Sequence, residues 1–367
     1  MANSSLLQAK QAKNDEFYTR LPDIENELYH YRKHFEGKII LCNCDDPFES
    51  NFFKYFALNF ESLKLKKLIA VAYADSPIVK TRMCSNGHGY VAEMTFAADV
   101  NGDTAFDWTD IMEMFHNGSI KITDLAGKGD FRDEECLKLL DEADIVVTNP
   151  PFSLFREYVT TLVEHKKKFL IIGNKNAVAC KEIFPLLKNN EMWLGYSIPK
   201  DFIMSNGDLS NKLGGLTRWF TNLDISKRHE DLILFKRYRE DPSFYPKYDN
   251  YDAINVDKIK YIPEDYDGIM GVPITFWNDY NPDQFEIIGA CSGWDSSLIT
   301  NEYSVNQLQF DKNGCKQVSK LNDGMPLIKF DTKLPDKTYY TVDGEGYYYR
   351  TYSRILIRNR HPLIPQP

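Results

Sequence analysis

The sequence has nothing to offer a membrane. Among its 367 residues no apolar run approaches the ~20 that a spanning helix needs. Met1–Lys13 has no apolar core of the signal-peptide kind, so no leader is expected. Positive charge is in deficit: 44 Lys and Arg stand against 53 Asp and Glu, a net of −9. A protein held to nucleic acid by its overall field would sit above about pI 9. Any such contact here must come from one local surface. The seven cysteines, Cys42, Cys44, Cys84, Cys136, Cys180, Cys291 and Cys315, are scattered, and no two form C-x-x-C. That excludes the usual zinc spacing and a disulfide framework, and reads as reduced thiols in a cytoplasmic protein. There is no P-loop, and no H-x-E paired with P-C-x-x-C. Phosphoryl transfer and zinc-dependent deamination therefore lack their motifs, and no metal is expected.

What is present is an alternation of apolar runs and helical patterns. Lys38–Asn43, Lys67–Tyr73, Asp144–Thr148 and Phe169–Ile172 are apolar runs of strand length. Between them lie Phe52, Phe53, Tyr55, Phe56 and Leu58, a stretch near Asp133–Asp141, and Ser153–His165, where apolar residues recur every three or four. Strands that are apolar throughout and alternate with helices predict an α/β fold, doubly wound around a mostly parallel sheet. Residues 76–119 break the alternation and read as an insertion. From Arg239 the texture turns to Pro, Tyr, Asp and Asn. The division predicted is 1–238 and a β- and loop-rich 239–367.

The sharpest feature is Asn149-Pro150-Pro151-Phe152, directly after an apolar strand. A proline turn that ends a strand explains the prolines. It does not explain an amide and an aromatic flanking them where an open α/β sheet binds its ligands. The exocyclic amine of adenine or cytosine is a poor nucleophile because its lone pair is delocalised into the ring. The Asn149 side-chain carbonyl and the Pro150 backbone carbonyl can accept its two N–H bonds and free that pair. Consecutive prolines stiffen the backbone that holds the acceptor. Phe152 can stack on the base, returning ~1–3 kcal/mol against the few kcal/mol that flipping costs.

These motifs resemble the gamma-type DNA amino-methyltransferases, and more narrowly the EcoRI-type adenine-specific family. The resemblance rests on residues 14–19 (NDEFYT), 42–47 (CNCDDP) with 51–56 (NFFKYF), 129–132 (GDFR), 149–158 (NPPFSLFREY), 171–176 (IIGNKN) and 219–224 (WFTNLD). It implies a Rossmann-like class I catalytic domain that moves a methyl group from S-adenosylmethionine to the N6 amine of a flipped adenine in double-stranded DNA. Phe17, Tyr18 and Thr19 match the segment against the cofactor's methionine part. Asp45, Asp46 and Pro47 match the cofactor loop, although the glycines usual after Asp-Pro are missing here. Asp46 capping a helix with Pro47 in its first position is the alternative. Asp75 is the candidate for the ribose hydroxyls, and Asp130 with Phe131 for the cofactor's adenine.

The resemblance also places target recognition in 239–367. After Glu345 stand Arg350, Arg354, Arg358 and Arg360 with no acidic residue, a local net of +4. They are expected to face DNA, together with Trp219 and Asn222 nearer the active-site rim. A cognate restriction endonuclease is an implied partner, and a monomer is favoured. Cytosine N4, RNA or a protein glutamine are alternative acceptors, and a non-catalytic DNA-binding relative is the other reading.

Overall fold

The computed structural model describes residues 17–74, 87–200, 202–204, 209–210, 215–311, 313–318 and 320–363. Two compact units form, one from the described residues up to Ala177 with Met192–Ile225, the other from Val178–Glu191 with the described residues from Ser226 onward.

The first unit is mixed α/β. It holds β1 (Phe17–Thr19), β2 (Ile39–Cys42), β3 (Lys67–Ala72), β4 (Tyr90–Met94), β5 (Lys121–Asp124), β6 (Ile145–Thr148), β7 (Lys168–Asn174), β8 (Trp193–Leu194), β9 (Phe202–Met204), β10 (Leu209–Ser210) and β11 (Thr217–Thr221). Eight of these make one sheet in the order β5-β4-β3-β2-β6-β7-β11-β8. The expected parallel sheet is present only at its centre. β2–β3, β2–β6 and β6–β7 pair in parallel, while β3–β4, β4–β5, β7–β11 and β11–β8 are antiparallel. The four parallel strands are buried almost throughout, as a sheet covered on both faces requires, and the antiparallel β11 beside them is buried at every residue. The segment read as an insertion supplies β4 and the helix Trp108–His116 on one flank. β1, β9 and β10 form a separate three-stranded sheet.

The core of this unit is aromatic. Phe52, Phe53, Tyr55 and Phe56 of the helix Asn51–Leu58 are buried with Phe35, Phe202 and Trp219, and each large side chain removed from water is worth ~1.5–3 kcal/mol. One charge is sealed beside them. Glu27, fully buried on the helix Leu21–Leu28, accepts the Tyr31 hydroxyl (2.8 Å), the N–H groups of Tyr196 (2.7 Å) and Ser197 (2.6 Å), and the Ser197 hydroxyl (2.6 Å). A Cβ at Gly195 would lie 2.3 Å from Glu27 Oε1, so the turn needs glycine there. A buried carboxylate is tolerable only with its lone pairs filled, and this one anchors the helix to the turn after β8.

The second unit contains β12 (Ile254–Asn255), β13 (Met270–Pro273), β14 (Phe285–Ala290), β15 (Gln307–Asp311), β16 (Gly314–Gln317), β17 (Leu327–Phe330), β18 (Tyr339–Val342), β19 (Glu345–Arg350) and β20 (Arg354–Asn359). They form a four-stranded sheet, β12-β13-β20-β14, and a five-stranded sheet, β16-β15-β18-β19-β17. Among the described residues no helix is long and apolar enough to cross a membrane.

Candidate active site

β2 and β6 are neighbours at the centre of the large sheet, and the strand order reverses between them: β3 flanks β2 on one side, β6 and then β7 lie on the other. Ligands of open α/β sheets bind outside the carboxyl ends of the strands at such a reversal. The two loops leaving these ends are residues 43–50 and 149–154.

Asp45 joins them. Its Oδ1 accepts the Ser50 hydroxyl (2.7 Å), its Oδ2 accepts the Thr148 hydroxyl (2.5 Å), and the Asn149 backbone N–H donates to the same carboxylate. Burial pushes the Asp45 carboxyl up to about 6, while the Thr148, Ser50 and Asn149 donors pull the other way. A second tie runs alongside. The buried Tyr158 hydroxyl, on the helix Phe155–Glu164, donates to Asn43 Oδ1. The first residue of the N-P-P-F turn is thereby held from the neighbouring strand, and the helix after the turn is held as well. Pro150 is buried, Asn149, Pro151 and Phe152 are half-buried, and Phe152 packs against the main core. The turn closes with the Leu154 N–H donating to the Pro151 carbonyl (2.9 Å). The Phe155 ring lies over Gly173 of β7, where a Cβ would come within 2.3 Å of it.

The glycine-free loop is shaped by side chains. Asp46 Oδ1 accepts the Phe48 N–H (3.0 Å) and the Tyr90 hydroxyl (2.9 Å), and its backbone carbonyl accepts the Ser50 N–H (2.7 Å). Ser50, not Asp46, caps the helix Asn51–Leu58, taking the N–H groups of Phe52 (3.0 Å) and Phe53 (3.3 Å). Pro47 sits within this turn, ahead of the helix. Asn51 Nδ2 donates to the Thr19 carbonyl (2.8 Å), which brings β1 against the same loop. The Thr19 hydroxyl is buried with no hydrogen-bond partner among the described residues. The Phe17 and Tyr18 side chains, and Asp75 entirely, lie outside the described part.

Asp130 is gripped by Arg132, with Nε 2.8 Å from Oδ1 and Nη2 2.6 Å from Oδ2, and this ion pair holds its carboxyl below the usual range. Phe131 is buried edge-on against Tyr158, with ring centroids 5.0 Å apart. Burial pushes the thiols of Cys42 and Cys44 well above their ordinary range, so neither is a thiolate nucleophile. Three carboxylates elsewhere, Asp99, Asp103 and Asp110, bring oxygens within 4.8 Å of one another, outside the loops that form this site.

The expected DNA contacts fare differently. Trp219 is 0% exposed and meets Phe52 edge-to-face at 5.9 Å, so it is a core residue and not a DNA contact. Asn222 clamps β11 to the start of β7, accepting the Phe169 N–H and donating to the Lys167 carbonyl (both 2.9 Å). That is the amino end of the parallel strands, opposite the N-P-P-F turn, so Asn222 is corrected to a structural role. Arg354 is 6% exposed and reaches Asn255 (3.3 Å) and Asp257 (3.5 Å); it too is interior. Arg350 pairs with Asp323, Arg358 with Glu286 (3.4 Å), and Arg360 donates to the Pro282 carbonyl (2.9 Å). The local +4 counted along the sequence is thus largely met by carboxylates from other segments. Arg354→Ala is expected to cost ~1–3 kcal/mol of stability, read by denaturant titration, through lost packing and orphaned acceptors. Undiminished stability would return Arg354 to the surface.

Among the features missed by sequence reasoning are Asn43, Ser50, Thr148 and Tyr158. The available signal was a run of small polar residues at two apolar strand ends. Which of them would meet was not legible.

The order reversal and the N-P-P-F turn at the end of β6 define an amino-methyltransferase. The chain belongs to the EcoRI-type adenine-specific methyltransferase family: residues 5–360 match the family described as "Adenine-specific methyltransferase EcoRI". It is 46% identical over 317 residues to the Type II methyltransferase M.EcoRI of Escherichia coli, covering 81% of this chain and 92% of that protein. It is 40% identical over 310 residues to M.MpnI of Mycoplasma pneumoniae (80% and 87%), and 38% identical over 312 residues to M.MgeORF184P of Mycoplasma genitalium (80% and 88%). No solved structure gives a significant match.

Proposed function

We propose that this protein transfers a methyl group from S-adenosylmethionine to the N6 amine of an adenine flipped out of double-stranded DNA. It would act in the type II setting, marking sites against a cognate restriction endonuclease. The observation that carries the reading is the position of Asn149-Pro150-Pro151-Phe152 at the order reversal, tied to the neighbouring loop through Asp45.

The loops fit the cofactor's chemistry. Carboxylates at the strand ends suit a molecule bearing a sulfonium and an ammonium, and the partnerless Thr19 hydroxyl offers a polar group beside them. Thr19, Asp46, Pro47 and Asp130 would hold S-adenosylmethionine, with Phe17, Tyr18, Phe131 and Asp75 completing the set the family resemblance implies. When bound, the cofactor supplies an electrophilic methyl. Asn149 Oδ1 and the Pro150 carbonyl accept the two amine N–H bonds, so the nitrogen lone pair is released as it attacks. Phe152 bears on the face of the flipped base. No strongly basic residue is needed, because the amine loses its proton only after methylation has made it acidic. On this reading the first unit is the Rossmann-like catalytic domain, and 239–367 is the target-recognition region, where Arg350, Arg358 and Arg360 remain candidate phosphate contacts.

The test is incubation with tritiated S-adenosylmethionine and plasmid DNA, followed by nucleoside analysis. Labelled N6-methyladenine is the expected product. Label confined to methylcytosine, or absent from DNA, would overturn the reading.

A further inference from the structure

We infer that Lys236, Lys258 and Lys260, gathered around Tyr261 in the second unit, form a phosphate-contact surface for duplex DNA. This rests on the DNA-methylating reading above. All three lysines are exposed. Their ammonium nitrogens lie 5.9, 5.8 and 5.3 Å from the centroid of the one Tyr261 ring, and Lys236 Nζ is also 5.8 Å from the Phe244 centroid. They arrive from two segments. Lys258 and Lys260 come from the turn that contains Ile259–Tyr261. Lys236 comes from an extended stretch whose backbone bridges to Pro263 and whose carbonyl accepts the Glu264 N–H (2.8 Å).

The carboxylates of this neighbourhood are already spent. Glu264 holds Arg237 at 2.7 Å, Asp265 holds Arg239 at 3.2 Å, and Asp257 faces Arg354 at 3.5 Å. Among the described residues none of the three lysines has a carboxylate within ion-pair distance. In a chain of net −9, three uncompensated positive charges around one ring are conspicuous. Like charges crowded this way repel one another, and the ring faces offset only part of that. A polyanion with regularly spaced charges offsets the rest, and a duplex backbone presents a phosphate every 3.4 Å of rise along each strand. The exposed Phe244 ring (46%), 5.8 Å from Lys236 Nζ and edge-on to Tyr261, adds a flat apolar face that can lie against sugars. The patch therefore has what Arg350, Arg354 and Arg358 lack, surface charge with no carboxylate beside it.

The deciding comparison is wild type against Lys236→Gln/Lys258→Gln/Lys260→Gln, with Lys138→Gln as control, since Lys138 is already paired with Glu134 at 2.8 Å. Duplex affinity is measured by fluorescence anisotropy over a salt series, separately from methyl transfer, and thermal melts verify folding. The triple variant is expected to lower the slope of log Kd against log salt by roughly 2–3, about 0.9 per lost phosphate contact. Its Kd at moderate salt should rise roughly 10–100-fold, with kcat at saturating DNA and S-adenosylmethionine affinity within about twofold of wild type. The control should leave the slope unchanged. A folded triple variant with the wild-type slope overturns the inference. Wild-type protein that binds DNA through these lysines yet transfers no methyl group overturns the catalytic reading instead.

Discussion

Asn149→Ala is expected to lower kcat by roughly 10²–10³-fold, with S-adenosylmethionine affinity and stability close to wild type. On the proposed mechanism the side-chain carbonyl at this position accepts an N–H hydrogen bond whose strength grows as the amine nitrogen develops positive charge. Its loss is therefore felt in the transition state far more than in the bound ground state. The backbone N–H that reaches Asp45 survives the substitution, so the turn and the helix after it stay in place. Single-turnover methyl transfer with preformed DNA complex separates the chemical step from binding. Undiminished single-turnover rate, or a variant that fails to fold, would remove Asn149 from its role as acceptor.

Asp45 carries the second large effect, through position instead of contact with the base. Asp45→Ala breaks the link between the Thr148 hydroxyl, the Asn149 N–H and Ser50, and is expected to reduce kcat by ~10²-fold, the scale on which a 1 Å misplacement acts. The isosteric Asp45→Asn gives a separate readout. The native carboxyl titrates at about 6 against an ordinary 3.8. A group raised in the folded state contributes stability that is full below the unfolded value, near pH 4, and is lost as pH rises through 6. The variant lacks this titration, so between pH 4 and pH 8 it should gain on wild type by up to about 3 kcal/mol. Denaturant melts across that range check it. A difference between the two proteins that does not change with pH would show that the carboxylate is not buried in the working protein.

The elements that were legible share one property: local pattern was enough to specify them. The apolar runs Lys38–Asn43, Lys67–Tyr73 and Asp144–Thr148 contain the strands Ile39–Cys42, Lys67–Ala72 and Ile145–Thr148, and the three-four repeat over Phe155, Tyr158, Val159 and Leu162 became a helix with those four side chains buried. The antiparallel flanks were not legible, because pairing direction depends on which strand edge is open when β4 or β11 arrives, and no local pattern encodes it. Trp219 and Arg354 misled for the same reason. An indole and a guanidinium read as surface chemistry until another element covers them, here Phe52 of the helix Asn51–Leu58 against Trp219, and Asn255 of β12 beside Arg354.

By itself, then, the sequence determined the chemistry: Asn149-Pro150-Pro151-Phe152 behind an apolar strand, in motif order with the other family segments, specifies amine methylation. Acceptor groups and stiff prolines act over a few adjacent residues. Only the tertiary structure decided how that turn is held and where free positive charge lies. Asp45 meets Asn149, and Lys236 joins Lys258 and Lys260, across stretches of chain that only folding brings together. Burial and charge compensation are properties of neighbourhoods in space, so three of the four C-terminal arginines meet carboxylates from other segments while lysines from two segments became the exposed cluster.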